Sequence, residues 1–224
     1  MKAVIFDIDN TIYSYGVCDR AGVRSACSRL NLIYDVPEQD FLSALKSAKE
    51  YTKKNNAGTA ASHNRVLYFQ NLCEQLGIHD TDMVIELYNA YWEIFLYKMK
   101  LFPMVTETFE MLRENNVKIA FCTDLTAHIQ LRKLSRLNLQ DAADAIVTSE
   151  ECGAEKPDKR IFEMVLRKLG VAASEAVMVG DDYKRDIEGA ANAGITPVWL
   201  TEKGEYVRTA EDFRAVYNIL KGLL

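Results

Sequence analysis

The chain is poor in the residues that mark disorder, secretion or nucleic-acid binding. Of its 224 residues only four are proline and eleven glycine. With no low-complexity tract or internal repeat, this excludes a disordered or fibrous protein. The five cysteines, Cys18, Cys27, Cys73, Cys122 and Cys152, are odd in number and scattered. None forms a C-x-x-C pair, so neither a zinc site nor a redox couple is predicted, and free thiols fit a reducing compartment. No apolar run reaches the roughly 18 residues of a spanning helix, so no membrane role is expected. Lys and Arg do not cluster and the formal net charge is -5, so the electrostatic footprint of a nucleic-acid binder is missing. The opening MKAVIFDID reads as a strand rather than as a charged leader, and the expected location is cytoplasmic.

What is present is an ordinary globular composition, 49% hydrophobic and 26% charged, long enough for a substantial core. Residues 3–6 form a short, continuous apolar run of the kind buried on both faces of a parallel sheet. Similar runs fall at 117–122, 177–179 and 197–200, with a weaker one at 145–147. Helical patterns at 106–115, 127–137, 160–169 and 186–193 separate them. Strands alternating with helices predict βαβ units and a doubly wound, parallel α/β sheet.

Residues 15 to 100 break this rhythm with four helical stretches, at 20–30, 38–54, 64–76 and 82–99. The third is expected to open on Ser62 as N-cap and to end at Gly77, with Val66, Phe69, Cys73 and Leu76 on its buried face. The fourth carries Val84, Leu87, Tyr88, Tyr91, Trp92 and Phe95, which at helical spacing read as a bundle core rather than a ligand box. The predicted organisation is therefore a core from 1–14 and 101–224, with a helical insert over 15–100. An insert after the first strand sits over the carboxyl ends of the strands, where open α/β sheets bind ligands.

Four polar features follow predicted strands or open the next helix. They are Asp7-Ile8-Asp9-Asn10-Thr11, Thr123-Asp124, Lys156-Pro157-Asp158, and Gly180-Asp181-Asp182 with Asp186 beyond. Each alone is weak, because an Asp after a strand is often a turn or cap residue. In a parallel sheet, however, they converge on one edge. Two like charges about 4 Å apart repel by about 4 kcal/mol at an effective dielectric of 20. Such a cluster needs cations or protonation. Hard carboxylate oxygens suit Mg²⁺, and Lys156 with the Thr123 hydroxyl could hold phosphate oxygens.

In this order the segments resemble the four motifs of the haloacid dehalogenase superfamily. IFDIDNTIY is similar to motif I, CTD to motif II, EKPDKRIF to motif III, and VGDDYKRDIEGAANAG to motif IV. The resemblance spans the whole core, which it implies is Rossmann-like, and the insert falls where that family carries its helical C1 cap. It implies that Asp7 is a nucleophile forming an aspartyl-phosphate. Asp9 would be the acid/base and would give its backbone carbonyl to Mg²⁺. Thr123 and Lys156 would grip the phosphoryl group, and Asp7 and Asp181 would be metal ligands supported by Asp182 and Asp186. Asp124, expected beside the phosphate, departs from the Asn common there and adds negative charge. From the insert, His63 and Arg65 are the candidate substrate contacts, with Tyr13 and Tyr15 beyond motif I at the entrance. His79 and His128 are expected to be structural.

The implied activity is a Mg²⁺-dependent phosphatase acting on a small phosphorylated metabolite. Asp9 favours phosphoryl transfer, because the family's dehalogenases usually carry a different residue there. The alternatives are a phosphomutase, with a pyrophosphatase or 2-haloacid dehalogenase further off, and a non-catalytic binding or regulatory module. A module of that kind would need neither a nucleophile nor an acid in register.

Overall fold

A computed structural model describes residues 1–201 and 208–224. In chain order the main elements are β1 (Ala3–Phe6), α1 (Tyr15–Tyr34), α2 (Glu38–Asn55), α3 (Arg65–Gln75), α4 (Thr81–Lys98) and α5 (Val105–Glu114). Next come β2 (Lys118–Thr123), α6 (Ala127–Arg136), β3 (Ala145–Thr148), α7 (Ser149–Cys152), α8 (Lys159–Leu169) and β4 (Ala176–Gly180). A π-helical turn over Tyr183–Glu188 leads into α9 (Gly189–Asn192), β5 (Thr196–Leu200), β6 (Thr209–Ala210) and α10 (Phe213–Lys221). The chain divides into two compact units, Met1–Ser14 with Lys100–Leu224, and Tyr15–Met99.

The first unit is built on β1. All four of its residues are buried, as are all five of β4 and five of the six in β2, which is the signature of a sheet covered on both faces. The described strands form one parallel sheet of order β3-β2-β1-β4-β5-β6. Phe6 packs at a tilt against Phe109 of α5 at 4.9 Å and stacks on Phe213 of α10 at 6.1 Å, closing one face. Ile161, Phe162 and Val165 of α8, with Ala190 of α9, close the other over Ala3, Ile5 and Met178. The chain runs outward from β1 through β2 to β3, then returns to lay β4 on the opposite side. The order thus reverses beside β1, and in open α/β sheets that point opens a crevice at the strands' carboxyl ends. The expected doubly wound architecture is what is found.

The second unit packs α1 against α4, α2 against α3, and α3 against α4. Helix α1 begins at Tyr15, five residues before the expected start, and runs on through exposed Leu32, Ile33 and Tyr34, whose exposure hides the helical period. Ser62 does not cap α3. It lies buried in a 3₁₀ turn (Ala60–His63), where its carbonyl accepts from the Tyr68 hydroxyl, and Asn64 caps instead, accepting from the Val66 N–H at 2.9 Å. Gly77 does end the helix: at φ +71° its N–H reaches the Glu74 carbonyl while the Ile78 N–H reaches Cys73, a Schellman pair. Phe69 and Cys73 are buried as expected, but Tyr68 and Leu72, rather than Val66 and Leu76, complete the inner face.

Close packing in this unit depends on Gly22 of α1. A Cβ there would lie 2.8 Å from both the carbonyl oxygen and a ring carbon of Tyr91 on α4. Gly22→Ala should therefore destabilise the protein by about 1–3 kcal/mol despite the better helix propensity of Ala. At Gly16 of the same helix the nearest atom is the mobile end of Arg20 at 3.4 Å, so Gly16→Ala should be neutral or stabilise by up to about 1 kcal/mol. Urea unfolding of the two variants checks the pair. Equal effects would show that helix spacing is not set at Gly22.

Candidate active site

Asp7 is the first residue beyond β1, and its N–H is pinned to the Val179 carbonyl of β4 at 2.9 Å. The chain then curls back, with the N–H groups of Thr11 and Ile12 both pointing to the Ile8 carbonyl. Asn10 takes the left-handed conformation at φ +64°, which a short polar side chain tolerates better than most. This turn keeps Asp7, Asp9 and Thr11 at the sheet edge. Thr123 closes β2, and Asp181 follows β4 directly. Lys156 enters from the loop between α7 and α8 and is only 4% exposed.

The Lys156 ammonium donates to Asp7 Oδ1 at 2.6 Å and to Asp186 Oδ1 at 2.7 Å. The Thr11 hydroxyl lies 3.1 Å from Asp7 Oδ2 and 3.4 Å from Asp181 Oδ1. Oxygens of Asp7, Asp181 and Asp186 lie within 4.8 Å of one another. Asp186 reaches this cluster because the helix after β4 opens as a π turn, with the Ile187 N–H reaching back to Asp182. Such wide turns recur at functional sites. Gly180 makes the space: a Cβ there would sit 2.4 Å from the Asp186 carboxyl carbon.

Three acids facing one ammonium leave negative charge uncompensated. Burial, which the Lys156 charge only partly offsets, together with repulsion from Asp186 and Asp9, pushes Asp7 up to about 7. Burial, then Asp7 and Asp186, push Asp181 up to about 8. Burial also raises Asp186. The cluster has the composition of a site for a divalent cation, an all-oxygen set strained by its own charge.

Asp9 is held in the opposite sense. Burial would raise it, but the ammonium of Lys133, fully buried on α6, donates to Asp9 Oδ1 at 2.6 Å and Oδ2 at 2.8 Å and lowers it. The Tyr13 hydroxyl donates to the same carboxylate, and Gln130 Nε2 lies 3.3 Å from Oδ2. Gln130 also donates to Thr123 Oγ1 at 2.8 Å and to the Asp124 carbonyl at 2.6 Å. Thr11 belongs to the first motif but has no role assigned from the sequence, and Gln130 and Lys133 lie outside all four motifs. The signal for the last two is a Gln and a Lys, three apart, on the stripe that also carries Ile129 and Leu134.

Of the other candidates, Asp182 is exposed, caps the π turn through the Arg185 N–H, and turns away from the cluster. Asp124 accepts from the Lys156 backbone N–H at 3.0 Å and pairs with Arg185 at 3.5 Å, so it anchors the lysine's loop. Tyr13, expected at the entrance, is buried with its hydroxyl on Asp9. In the helical unit His63 is half-buried. Arg65 is enclosed by its own unit, bonded to the His63 carbonyl and the Tyr15 hydroxyl, 4.0 Å from Asp19 and within 6 Å of the Tyr15, Tyr68, Tyr91 and Trp92 rings. No described helix is long and apolar enough to cross a membrane.

Comparison with known proteins agrees with this geometry. Residues 1–194 match the family model for haloacid dehalogenase-like hydrolases, and the chain belongs to that family. It is 42% identical over 215 residues to a ribulose-1,5-bisphosphate 5-phosphatase of Halopiger xanaduensis, covering 95% of this chain and 90% of that one. It is 33% identical to a glyceraldehyde 3-phosphate phosphatase of Methanopyrus kandleri, covering 92% and 86%. A solved HAD phosphatase from Thermococcus onnurineus superposes with a TM-score of 0.77 at 26% identity, covering 99% of both chains. Within its family, this chain is a phosphatase.

The raised acids make a pH prediction. Groups whose folded pKa lies above the unfolded value near 3.8 stabilise the fold when protonated, and that contribution is lost as pH rises through about 7 to 8. In EDTA, melting temperature should therefore fall as pH rises from about 4 and level off above about pH 8, the window between the unfolded and folded values. Mg²⁺ as a probe cation should offset the loss, so the gap between Mg²⁺ and EDTA melts widens with pH. A gap that stays constant across the range would show that the cluster does not bind the cation in its ionised form.

Proposed function

We propose that this phosphatase hydrolyses a small phosphorylated metabolite through an aspartyl-phosphate formed on Asp7, with Mg²⁺ held by the acidic cluster. The observation that carries the reading is Asp7 itself: a buried carboxylate gripped by Lys156 and followed two residues on by Asp9, which is held by a different lysine. Each carboxylate has its own lysine, and ligands would set their roles: a bound cation would bring Asp7 down to the ionised nucleophile, and the negative charge of the ester would raise Asp9 enough to carry a proton.

In this mechanism the ester binds with Asp9 protonated, the ester's negative charge opposing the pull of Lys133; Asp7 attacks phosphorus, and the alcohol leaves with the Asp9 proton. Asp9 then takes a proton from the water that cleaves the acyl phosphate, returning Asp7 to its carboxylate. Lys156 screens Asp7 from the incoming anion, and Thr123 donates its hydroxyl to a phosphoryl oxygen. Thr123 accepts from Gln130 at 2.8 Å, and its own hydrogen makes a long bond of 3.3 Å to the Asp124 carbonyl that a phosphoryl oxygen would replace. Asp7 and Asp181, with the Asp9 backbone carbonyl, would hold Mg²⁺, and Asp186 would support them while orienting Lys156. Bound there, the cation would neutralise the cluster and the phosphate together.

The helical unit, inserted between β1 and β2, is proposed as the cap that selects substrate, with His63 as its candidate contact. The enclosure of Arg65 by aromatic rings supports a structural part for that residue. Similarity to a ribulose-1,5-bisphosphate 5-phosphatase makes a pentulose bisphosphate the first substrate to test, ahead of triose phosphates and nucleotides.

Phosphate release from a panel of such metabolites should require Mg²⁺ and vanish with EDTA. No turnover of any ester would refute the reading. Asp7→Asn should lower kcat by at least about a thousandfold with the melting temperature retained. Asp9→Asn should lower kcat/KM by about a hundredfold or more for sugar phosphates and much less for p-nitrophenyl phosphate, whose leaving group needs no proton. An equal fall on both would remove Asp9 from the acid role.

A further inference from the structure

Helix α6 places a fully buried lysine and a fully buried glutamine on the stripe that otherwise holds Ile129 and Leu134. For stability alone this is a poor choice. Taking an ammonium out of water costs several kcal/mol, and a well-packed apolar residue often does as well as a buried ion pair or better. Departures of that kind from the local packing rule tend to lie where function requires them.

We propose that Lys133 and Gln130 are positioning residues that hold the Asp9 carboxylate in register with the Thr123 hydroxyl. The inference rests on the reading of Asp9 as acid/base. Lys133 approaches both Asp9 oxygens, at 2.6 and 2.8 Å, fixing the carboxylate's position and its rotation about the Cβ–Cγ bond. Tyr13 adds a second donor to Oδ1. Gln130, one turn earlier on the helix, has two amide hydrogens and gives them to its two shortest contacts, the Asp124 carbonyl and Thr123 Oγ1. Its third approach, to Asp9 Oδ2 at 3.3 Å, is longer.

One helix face therefore ties the proton carrier to the residue proposed to grip the phosphoryl group. Asp9 sits on a loop and Thr123 at the end of β2, and without a tie the loop-borne group would drift from the strand-borne one by more than catalysis tolerates. Lys133 and Gln130 touch neither the phosphorus nor the leaving oxygen in this scheme. Their effect passes through Asp9 and Thr123.

The test uses kcat/KM, which reports phosphoryl transfer up to departure of the alcohol, on a sugar phosphate and on p-nitrophenyl phosphate. Lys133→Met should reduce it by about tenfold or more for the sugar phosphate and by less than about threefold for the nitrophenyl ester, the imprint of an impaired acid. Lys133→Arg should recover part of the loss, and Gln130→Leu should show the same leaving-group bias more weakly. These two variants keep the test decisive if Lys133→Met does not fold. Equal losses on both substrates would mean a merely structural lysine, and no loss would mean an idle one; either overturns the proposal. Asp9→Asn runs beside them. If it lacks leaving-group bias, the acid/base reading fails and this inference fails with it. If it shows the bias and the α6 variants do not, only the inference falls.

Discussion

Lys156 is buried with its ammonium within 2.7 Å of both Asp7 and Asp186, and none of the three charges could be carried into the interior alone. Removing the ammonium would leave both carboxylates unpaired, at a cost of about 3–5 kcal/mol, whereas neutralising Asp7 still leaves Lys156 its bond to Asp186. The three residues come from the end of β1, the loop before α8 and the turn after β4, so one ammonium fastens segments that are remote in sequence. Asp124 reinforces the arrangement by accepting from the Lys156 backbone. The same bonds that secure these loops also set Asp7 at the crevice where the strand order reverses.

The balance around Lys156 is incomplete, and that is where stability and chemistry conflict. One positive charge cannot offset Asp7, Asp181 and Asp186 together, and their carboxyl groups respond by holding protons more tightly. Asp9, a few ångströms of chain away, is instead kept ionised by its own lysine. The sheet edge thus presents acids in two electrostatic states built from the same residue type. The difference lies in which helix or loop delivers the neighbouring ammonium.

The strands β1, β2, β4 and β5 were legible because a strand buried on both faces has to be continuously apolar. The polar residues directly after them could be placed on one edge by topology alone. Asp186 was legible as a candidate, but its inward turn was not: a π turn inserts a residue into the helical count and defeats the 3.6-residue period. Lys133 and Gln130 were overlooked because a Lys and a Gln in an amphipathic helix are ordinarily read as solvent-facing. Only their distance from Asp9 shows otherwise. Helix α10 carries an apolar repeat at Phe213, Val216 and Leu220 after Asp212, beyond the last motif, so the helical period is its one signal in the sequence. In the helical unit the cap expected at Ser62 falls instead on Asn64, because both residue types can cap and backbone geometry decides between them.

The two tryptophans have separate surroundings. Trp199 of β5 donates its indole N–H to the Asp181 carbonyl at 2.9 Å and lies against Tyr183. Trp92 is sealed in the helical unit among Tyr91, Phe95 and the Arg65 guanidinium. The chain thereby carries one tryptophan in each unit, beside its eleven tyrosines. Replacing either by Phe would leave, on excitation beyond the tyrosine absorption, an emission spectrum that reports on the other tryptophan alone. Light from Trp199 would then follow events at the acidic cluster, while light from Trp92 would follow the packing of the helices.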